Sequence, residues 1–220
     1  MASYGSSGFG GGGERPSSPQ SEMAARIAAC QTCQGVLDVM AAANQRNIMP
    51  STANMAIAMH RIASTSSLSG ASPQQVIQNV HFRHLIMSVE DRLAKNPRDF
   101  AEQHLANLVW GAAKLKLLRE PLFQLVEREV LSGHRRLSDF SPQQLAAIAW
   151  SYAMVNFDAP RLFEAVQEEA TRVPQLAQVL EQAGLLRRSD GTGGRARAPP
   201  YGHQQGAAPP GGAPPGGAAP

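Results

Sequence analysis

The sequence predicts an all-α protein: a short α-solenoid of about three helical-hairpin repeats between disordered Gly/Ser-rich and Pro/Gly-rich tails. The main observation is an internal repeat. QHLANLVWGAAKL, which begins at Gln103, recurs 40 residues later as QQLAAIAWSYAMV, which begins at Gln143. Each copy is followed by a second helical stretch, as in stacked helical repeats. No segment shows the two-residue alternation typical of a half-buried β-strand.

The two ends of the chain are poor in residues that build a core. Residues 1–21 are mostly Gly, Ser and Pro, and residues 189–220 contain GAAPPGGAPPGGAAP. Such compositions bury too little apolar surface to offset the entropy of ordering, so we expect both tails to be disordered. The folded domain is then 22–188, a length sufficient for one hydrophobic core.

Charge and hydropathy limit the classes of partner. The formal net charge of the chain is only +3, so bulk charge does not indicate a strong nucleic-acid binder. No apolar run approaches the ~20 residues of a membrane-spanning helix, and we expect no membrane association. Residues 1–21 have no hydrophobic segment typical of a secretory signal. They are Ser-rich and contain no acidic residue before Glu14, as in transit peptides. They are also Arg-poor and Gly-rich, so they form at most a weak organellar targeting segment.

The repeat places the helical units along the chain. The two clear copies define units 98–137 and 139–173, in which LFQLV and LFEAV lie in equivalent second helices. A more degenerate unit spans 50–96, where NMAIAMHRIAS aligns with HLANLVWGAAK and HLIMSVEDRLA supplies the second helix. A helix around 22–46 precedes these units, and a cap helix over 174–188 follows them.

Local signals support the boundaries. Ser141-Pro142-Gln143-Gln144 predicts a helix start with a capping box, since Ser precedes Pro at the first helical position and Gln lies at the third. The stretch TSSLSGASPQQ is predicted to be a loop inserted between the helices of the first unit. Its last four residues, SPQQ at 72–75, repeat SPQQ at 141–144, which leaves a second register open around 64–82.

The first helix of each unit is apolar on two adjoining faces and leaves only a narrow polar stripe, whereas the second helix is apolar on one face. This contrast predicts inner helices packed between neighbours and outer helices facing water. Trp110 and Trp150 are interpreted as packing between repeats rather than as platforms for stacked bases. His60 aligns with Trp110 and is interpreted as a packed histidine. The small residues Gly111 and Ser151 predict a close approach of helices.

The pair Cys30 and Cys33, in CQTC, has three interpretations. A redox pair needs a βαβ context, and a zinc site needs four ligands; the sequence shows neither. The remaining interpretation is two small apolar residues on a helix. The chain also lacks a nucleophile motif and a Gly-rich phosphate loop, so we expect no enzyme activity, metal, cofactor or small-molecule substrate.

The segments LANLVWGAAKL and LAAIAWSYAMV, each followed by LF-x-x-V, resemble the octotricopeptide repeat. They are also similar to the related helical repeats of RAP-domain proteins in algae, dinoflagellates and apicomplexans. The resemblance covers about 43–175, including AMHRIA at 58–63. It implies a right-handed α-solenoid that binds single-stranded organellar mRNA or rRNA in a mitochondrion or plastid, alone or with protein partners in a ribonucleoprotein. Its expected roles are RNA processing, stability, translation or ribosome assembly; without an organelle, the location would be cytoplasmic.

The candidate RNA-binding residues are the polar positions of the inner helices. Amides and hydroxyls at these positions suit base edges, while the two cations suit phosphate. The eight candidates are Asn54, Arg61, Ser64, His104, Asn107, Lys114, Gln144 and Ser151. The alternative for each is an ordinary solvated helix face.

A second function remains open from the sequence, that of a protein–protein adaptor without direct RNA binding. The acidic face of the outer helices suits a basic partner, and the small net charge favours this alternative. The acidic residues concerned are Glu127, Glu129, Glu164, Glu168 and Glu169.

Overall fold

The computed structural model describes residues 18–66 and 70–186, and within these ranges all regular secondary structure is helical. This confirms the all-α prediction for the described residues. The ten α-helices there are α1 (Pro19–Ala29), α2 (Cys33–Gln45), α3 (Thr52–Ser66), α4 (Pro73–Gln78), α5 (Val80–Lys95), α6 (Glu102–Lys114), α7 (Glu120–Val130), α8 (Pro142–Met154), α9 (Pro160–Arg172) and α10 (Pro174–Gln182). None of them is long and apolar enough to cross a membrane.

The helices pack in two rows. In the first, α6 packs against both α3 and α8, while α1 packs against α3 and α10 packs against α8. In the second, α5 packs against α2 and α7, while α9 packs against α8 and α10. The core is one continuous cluster of buried apolar side chains that runs through both rows. Alanines at buried positions of α6 and α8, such as Ala106 and Ala146, let the inner helices lie close together.

The inner helices α6 and α8 end in the same turn. Lys116 and Asn156 have positive φ angles of 54° and 53°. In each case the next amide N–H donates to a carbonyl oxygen five residues earlier, the bond of a Schellman motif. The two bonds are Leu117 N to Ala112 O at 2.9 Å and Phe157 N to Tyr152 O at 3.0 Å. This turn directs the chain from the inner row to the outer row at equivalent points of the two units.

The starts of α6 and α8 are equivalent as well. Each follows a short 3-10 turn and a buried phenylalanine, Phe100 or Phe140. The capping box predicted at Ser141 is confirmed: Gln144 N donates to Ser141 Oγ at 3.3 Å, and Ser141 N donates to Gln144 Oε1 at 2.8 Å. Repeated entry and exit geometry therefore accompanies the repeated sequence.

The single helix predicted around 22–46 is wrong, because two helices occupy this stretch. α1 ends at Ala29, and Thr32 caps the start of α2 by accepting a hydrogen bond from Gly35 N at 3.1 Å. Cys30 and Cys33 therefore flank a helix break instead of lying within one helix. A side chain that satisfies an amide at a helix start competes with helix continuation, which explains the break at Thr32.

Two further boundaries differ from expectation. The predicted loop TSSLSGASPQQ contains the start of α4, since Ser72 and Gln75 form a capping box. α4 is short and packs on α5, so it does not act as an inner helix. The cap helix predicted over 174–188 ends at Gln182, because Gly184 adopts a φ of 72° and closes a Schellman motif. Helix α1 begins at Pro19, within the tail predicted over 1–21; residues 1–17 and 187–220 lie outside the described residues.

Candidate nucleic-acid interface

The polar stripe of α6 runs for most of its length along a seam between helices. A Cβ atom on Gly111 would lie 2.9 Å from the carbonyl oxygen of Met59 in α3. The small residue therefore permits a close approach of α3 and α6, as its size predicts. Asn107 is only 6% exposed, and Ser151, the counterpart of Gly111 in α8, is fully buried. The sequence analysis took Asn107 and Ser151 as candidate RNA-binding residues, whereas both side chains are buried in the structure.

Asn54 and Arg61 of α3 are both engaged with α1. Asn54 Nδ2 donates to the backbone oxygen and to Oε1 of Gln20, at 3.0 and 2.9 Å. The Arg61 guanidinium donates to the carbonyl oxygens of Ala28, at 3.0 Å, and of Cys30. These carbonyls belong to the end of α1, where a cation is favourable. Both side chains thus fasten α1 to α3.

The structure brings Asn107 and Gln144 together through one glutamine. Gln144 Nε2 donates to Gln103 Oε1 at 3.0 Å, and Gln103 Nε2 donates to Asn107 Oδ1 at 3.0 Å. His104 lies beside this chain at the start of α6, where its Nδ1 accepts a hydrogen bond from Ala101 N at 3.1 Å. Burial lowers the pKa of His104. Hydrogen bonds between side-chain amides therefore join the amino-terminal ends of α6 and α8. His104 and Gln144 are half-buried polar groups at these ends.

Ser64 and Ser151 bond to their own helices. Ser64 Oγ donates to His60 O at 2.8 Å, and Ser151 Oγ donates to Ala147 O at 2.5 Å. Such bonds satisfy a hydroxyl without a partner from outside. Ser64 is half-buried, so it borders the accessible surface, whereas Ser151 does not.

Lys114 is the exposed cation of the predicted set. It lies at the end of α6, and its Nζ atom is 5.7 Å from the centroid of the Trp110 ring, within the range of a cation–π interaction. Lys116 follows in the Schellman turn and is also exposed. Neither lysine forms a salt bridge with any residue in the described ranges. The carboxyl end of α6 therefore carries two ammonium groups that are accessible to an anion.

The tryptophans are packed, as the sequence interpretation has it. Trp110 and Trp150 are 5% and 3% exposed, which leaves no ring face for a stacked base. The His60 ring stacks on Trp110 across the seam between α3 and α6, with ring centroids 4.7 Å apart and planes 24° apart. Burial, together with the neighbouring Arg61, lowers the pKa of His60 to about 4. His60 is therefore a neutral packing residue near neutral pH.

The acidic face proposed for the outer helices is only partly available. Glu129 is 4% exposed and accepts a hydrogen bond from Arg135 Nε at 2.9 Å, while Arg135 Nη1 also donates to Glu102 at 2.7 Å. Glu169 is likewise buried and lies 3.5 Å from Arg172. Glu164 and Glu168 are exposed. Two of the five acids therefore belong to the internal ion pairs of the outer row.

Sequence reasoning missed the exposed surface of α5. This outer helix presents Val80 and Met87 to solvent, together with Arg83 and His84. The signal was present, because these four residues follow the spacing of one helix face, i, i+3, i+4 and i+7. The sequence analysis assigned HLIMSVEDRLA only as the second helix of the degenerate unit and left this face unassigned.

Cys30 and Cys33 are both thiols, and the Cys30 thiol donates to Arg26 O at 3.1 Å. Across 18–66 and 70–186, no group of three or more His, Cys, Asp or Glu residues is placed to hold a metal ion.

Comparisons with known proteins give no match for this chain. No protein-family model matches it, no curated protein is similar enough to count as a relative, and no solved structure matches the fold.

Proposed function

We propose that this chain is a short α-solenoid that binds single-stranded RNA without catalysis. Its expected setting is a mitochondrion or plastid, and its expected role lies in RNA processing, stability, translation or ribonucleoprotein assembly. The observation that carries the proposal is the 40-residue repeat, which coincides with side-by-side inner helices and with two accessible ammonium groups at the end of one of them. The resemblance of the repeated segments to organellar RNA-binding repeats supplies the choice of RNA.

The eight candidate residues divide into two groups under this proposal. Asn54 and Arg61 bond α1 to α3, whereas Asn107 and Ser151 are buried and bond within their own helices, so we assign none of the four a contact with RNA. The groups that remain accessible are His104, Gln144, Ser64 and Lys114, to which Lys116 is added on the basis of its exposure. Lys114 and Lys116 would contact phosphate, a contact that supplies affinity without reading sequence.

The test is binding of the full chain to a fluorescent pool of randomised single-stranded RNA, titrated across salt. The double substitution Lys114→Ala/Lys116→Ala removes two phosphate contacts. The negative slope of log binding constant against log salt concentration should therefore become shallower by about 0.7 per lysine. The matched control is Lys95→Ala/Arg128→Ala, which removes two cations from the outer helices α5 and α7 and should leave the slope unchanged.

The result separates three cases. A fall of the slope in the lysine variant alone supports the assignment. An equal fall in both variants means that only net charge matters, which contradicts a defined interface. Absence of binding by the parent chain at low salt would overturn the RNA proposal and leave the adaptor function.

The adaptor function is the second candidate, and one observation favours it. Val80 and Met87 are exposed on one face of α5, and exposed apolar side chains that cluster on one face mark protein-binding surfaces. The large exposed apolar side chains in the described ranges are Met49, Val80, Met87, Leu118 and Met154.

A further inference from the structure

The outer face of α5 differs from the outer faces of its counterparts in the next two units. The buried residues Leu85, Leu122 and Leu162 occupy the same repeat position in α5, α7 and α9. Two residues later in each helix, α5 has Met87, α7 has Gln124 and α9 has Glu164. All three side chains are exposed, and Met87 is 59% exposed. The fold therefore requires no apolar residue at this position, and Met87 is the apolar member of the three.

Met87 borders a groove that is apolar over most of its wall. The groove, which we call the Met87 groove, has a volume of about 200 Å³ and lies between α4, α5 and the turn that joins α6 to α7. Its apolar wall is formed by Ile77, Phe82, Ile86, Met87 and Leu117, and its two polar residues are Arg83 and Arg119. Leu118, which lies between Leu117 and Arg119 in the chain, is 47% exposed.

Two arginines line the Met87 groove, and they differ in whether a carboxylate neutralises them. Arg119 is neutralised by Glu90, with Nε–Oε1 and Nη2–Oε2 distances of 2.7 and 2.9 Å. Arg83 is exposed and forms no salt bridge with any residue in 18–66 or 70–186. The nearest acid further along the exposed face of α5, Asp91, is paired with Lys95 at 2.7 Å. The groove therefore combines an apolar wall with one cation that has no carboxylate partner among the described residues.

We propose that the Met87 groove binds an amphipathic helix of a partner protein. Apolar side chains of that helix, spaced i, i+3 or i+4 and i+7, would contact Met87, Ile86 and Leu117, and a carboxylate would pair with Arg83. A helix suits the site because grooves between helices receive the side-chain ridges of another helix. Methionine suits such a surface because its unbranched side chain adapts to its partner. This inference rests on the adaptor candidate and does not require that the chain bind RNA.

The test starts from a phage-displayed library of helical peptides randomised on one face, selected against the full chain. Selected peptides are then synthesised, and their affinity is measured by fluorescence polarisation. We expect apolar residues at helical spacing beside Asp or Glu. Met87→Glu should weaken binding at least tenfold, since it places a carboxylate against an apolar and acidic partner.

The matched control is Gln124→Glu, which makes an equally exposed acidic residue at the equivalent position of α7 and should change affinity less than twofold. Arg83→Glu should also weaken binding, and changing the peptide's acids to Lys should restore it. Restoration identifies the ion pair directly, which a merely unfolded variant would not show. Circular dichroism of each variant should match that of the parent chain.

Other outcomes overturn the proposal in distinguishable ways. Peptides that bind Met87→Glu as well as the parent place the docking surface elsewhere; loss of their binding with Glu164→Lys/Glu168→Lys would keep the adaptor function and remove this site. A dimer of the parent chain that Met87→Glu dissociates, measured by sedimentation, would make the groove an interface between copies. Loss of RNA binding in Met87→Glu but not in Gln124→Glu would assign the surface to RNA.

Discussion

Substitution of Gly111 by alanine tests the close approach of α3 and α6. In an isolated helix this change is stabilising by about 1 kcal/mol, since alanine is the better helix former. In this chain the new Cβ atom would lie 2.9 Å from Met59 O, 0.5 Å inside the 3.4 Å at which ordinary contact begins (3.4 − 2.9). The clashing atom is backbone, so α3 and α6 must separate along the seam.

The two effects have opposite signs, and their sizes decide the result. Overpacking of a well-packed interior typically costs about 1–3 kcal/mol. This exceeds the gain in helix propensity, so Gly111→Ala should destabilise the chain by about 1 kcal/mol. The corresponding fall in Tm is roughly 2–4 °C for a chain of this size. Urea denaturation followed by circular dichroism gives the free energy of unfolding directly.

The equivalent position in α8 supplies the control. Ser151 already carries a Cβ atom, and its hydroxyl bonds to Ala147 O within the same helix. Ser151→Ala loses this hydrogen bond, worth about 0.5–1.5 kcal/mol, and gains about 0.5 kcal/mol from the higher helix propensity of alanine. The free energy of unfolding should therefore change by less than about 1 kcal/mol, with no steric separation of helices. A Gly111→Ala variant that is more stable than the parent would refute the reasoning, because it would show that helix propensity alone acts at this seam.

Three further substitutions follow from the buried polar groups. Arg135→Ala leaves the buried carboxylate of Glu129 without its cation, so urea denaturation should show a loss of about 3–5 kcal/mol; a loss below about 1 kcal/mol would contradict the burial of this pair. Tyr152→Phe removes the hydroxyl that donates to Phe123 O at 2.6 Å, and the expected loss of about 1–2 kcal/mol is read from the same experiment. The pKa of His60 in the folded chain is about 4, below its ordinary value of 6.5. Between these two pH values the unfolded chain binds a proton that the folded chain does not, so the free energy of unfolding falls as the pH falls from 6.5 towards 4. We expect a loss of about 2 kcal/mol between pH 7 and pH 5, reduced in His60→Phe; an equal loss in both chains would contradict the assignment.

An exposed ion pair near Arg135 is the control for the first of these substitutions. Arg136 pairs with Asp139 at 3.0 Å, but its side chain is 82% exposed. Arg136→Ala should therefore lower the free energy of unfolding far less than Arg135→Ala does, since solvent screens such a pair.

Features that follow from the repeated sequence pattern were predictable from the sequence. The packed state of Trp110, the role of His60 as its counterpart and the capping box at Ser141 all follow from spacing and residue type. These features are local or concern equivalent positions, so periodicity identifies them. The helical class of the described residues follows from the same patterns.

Features that depend on tertiary neighbours were not predictable. A helical wheel shows that Asn107 and Ser151 are polar, but it cannot show which helix covers them. The break between α1 and α2 depends on the Thr32 cap. The apolar pattern continues across this break, and only tertiary packing decides whether the cap or a continuous helix is more stable. Arg61 was assigned to phosphate because its charge is visible in the sequence, while its actual acceptors are two carbonyl oxygens of α1.

The attachment of α1 has a kinetic consequence. This helix buries only Met23 and Ile27 among its large side chains, and the polar bonds of Asn54 and Arg61 supply much of its connection to α3. A helix with so little buried apolar surface opens at a lower free energy than the whole domain. Its amides should exchange with deuterated solvent before those of α6 and α8. While α1 is detached, the Asn54 amide and the Arg61 guanidinium lose their acceptors in α1. The number of free hydrogen-bond donors on α3 therefore varies with the fraction of molecules in which α1 is open.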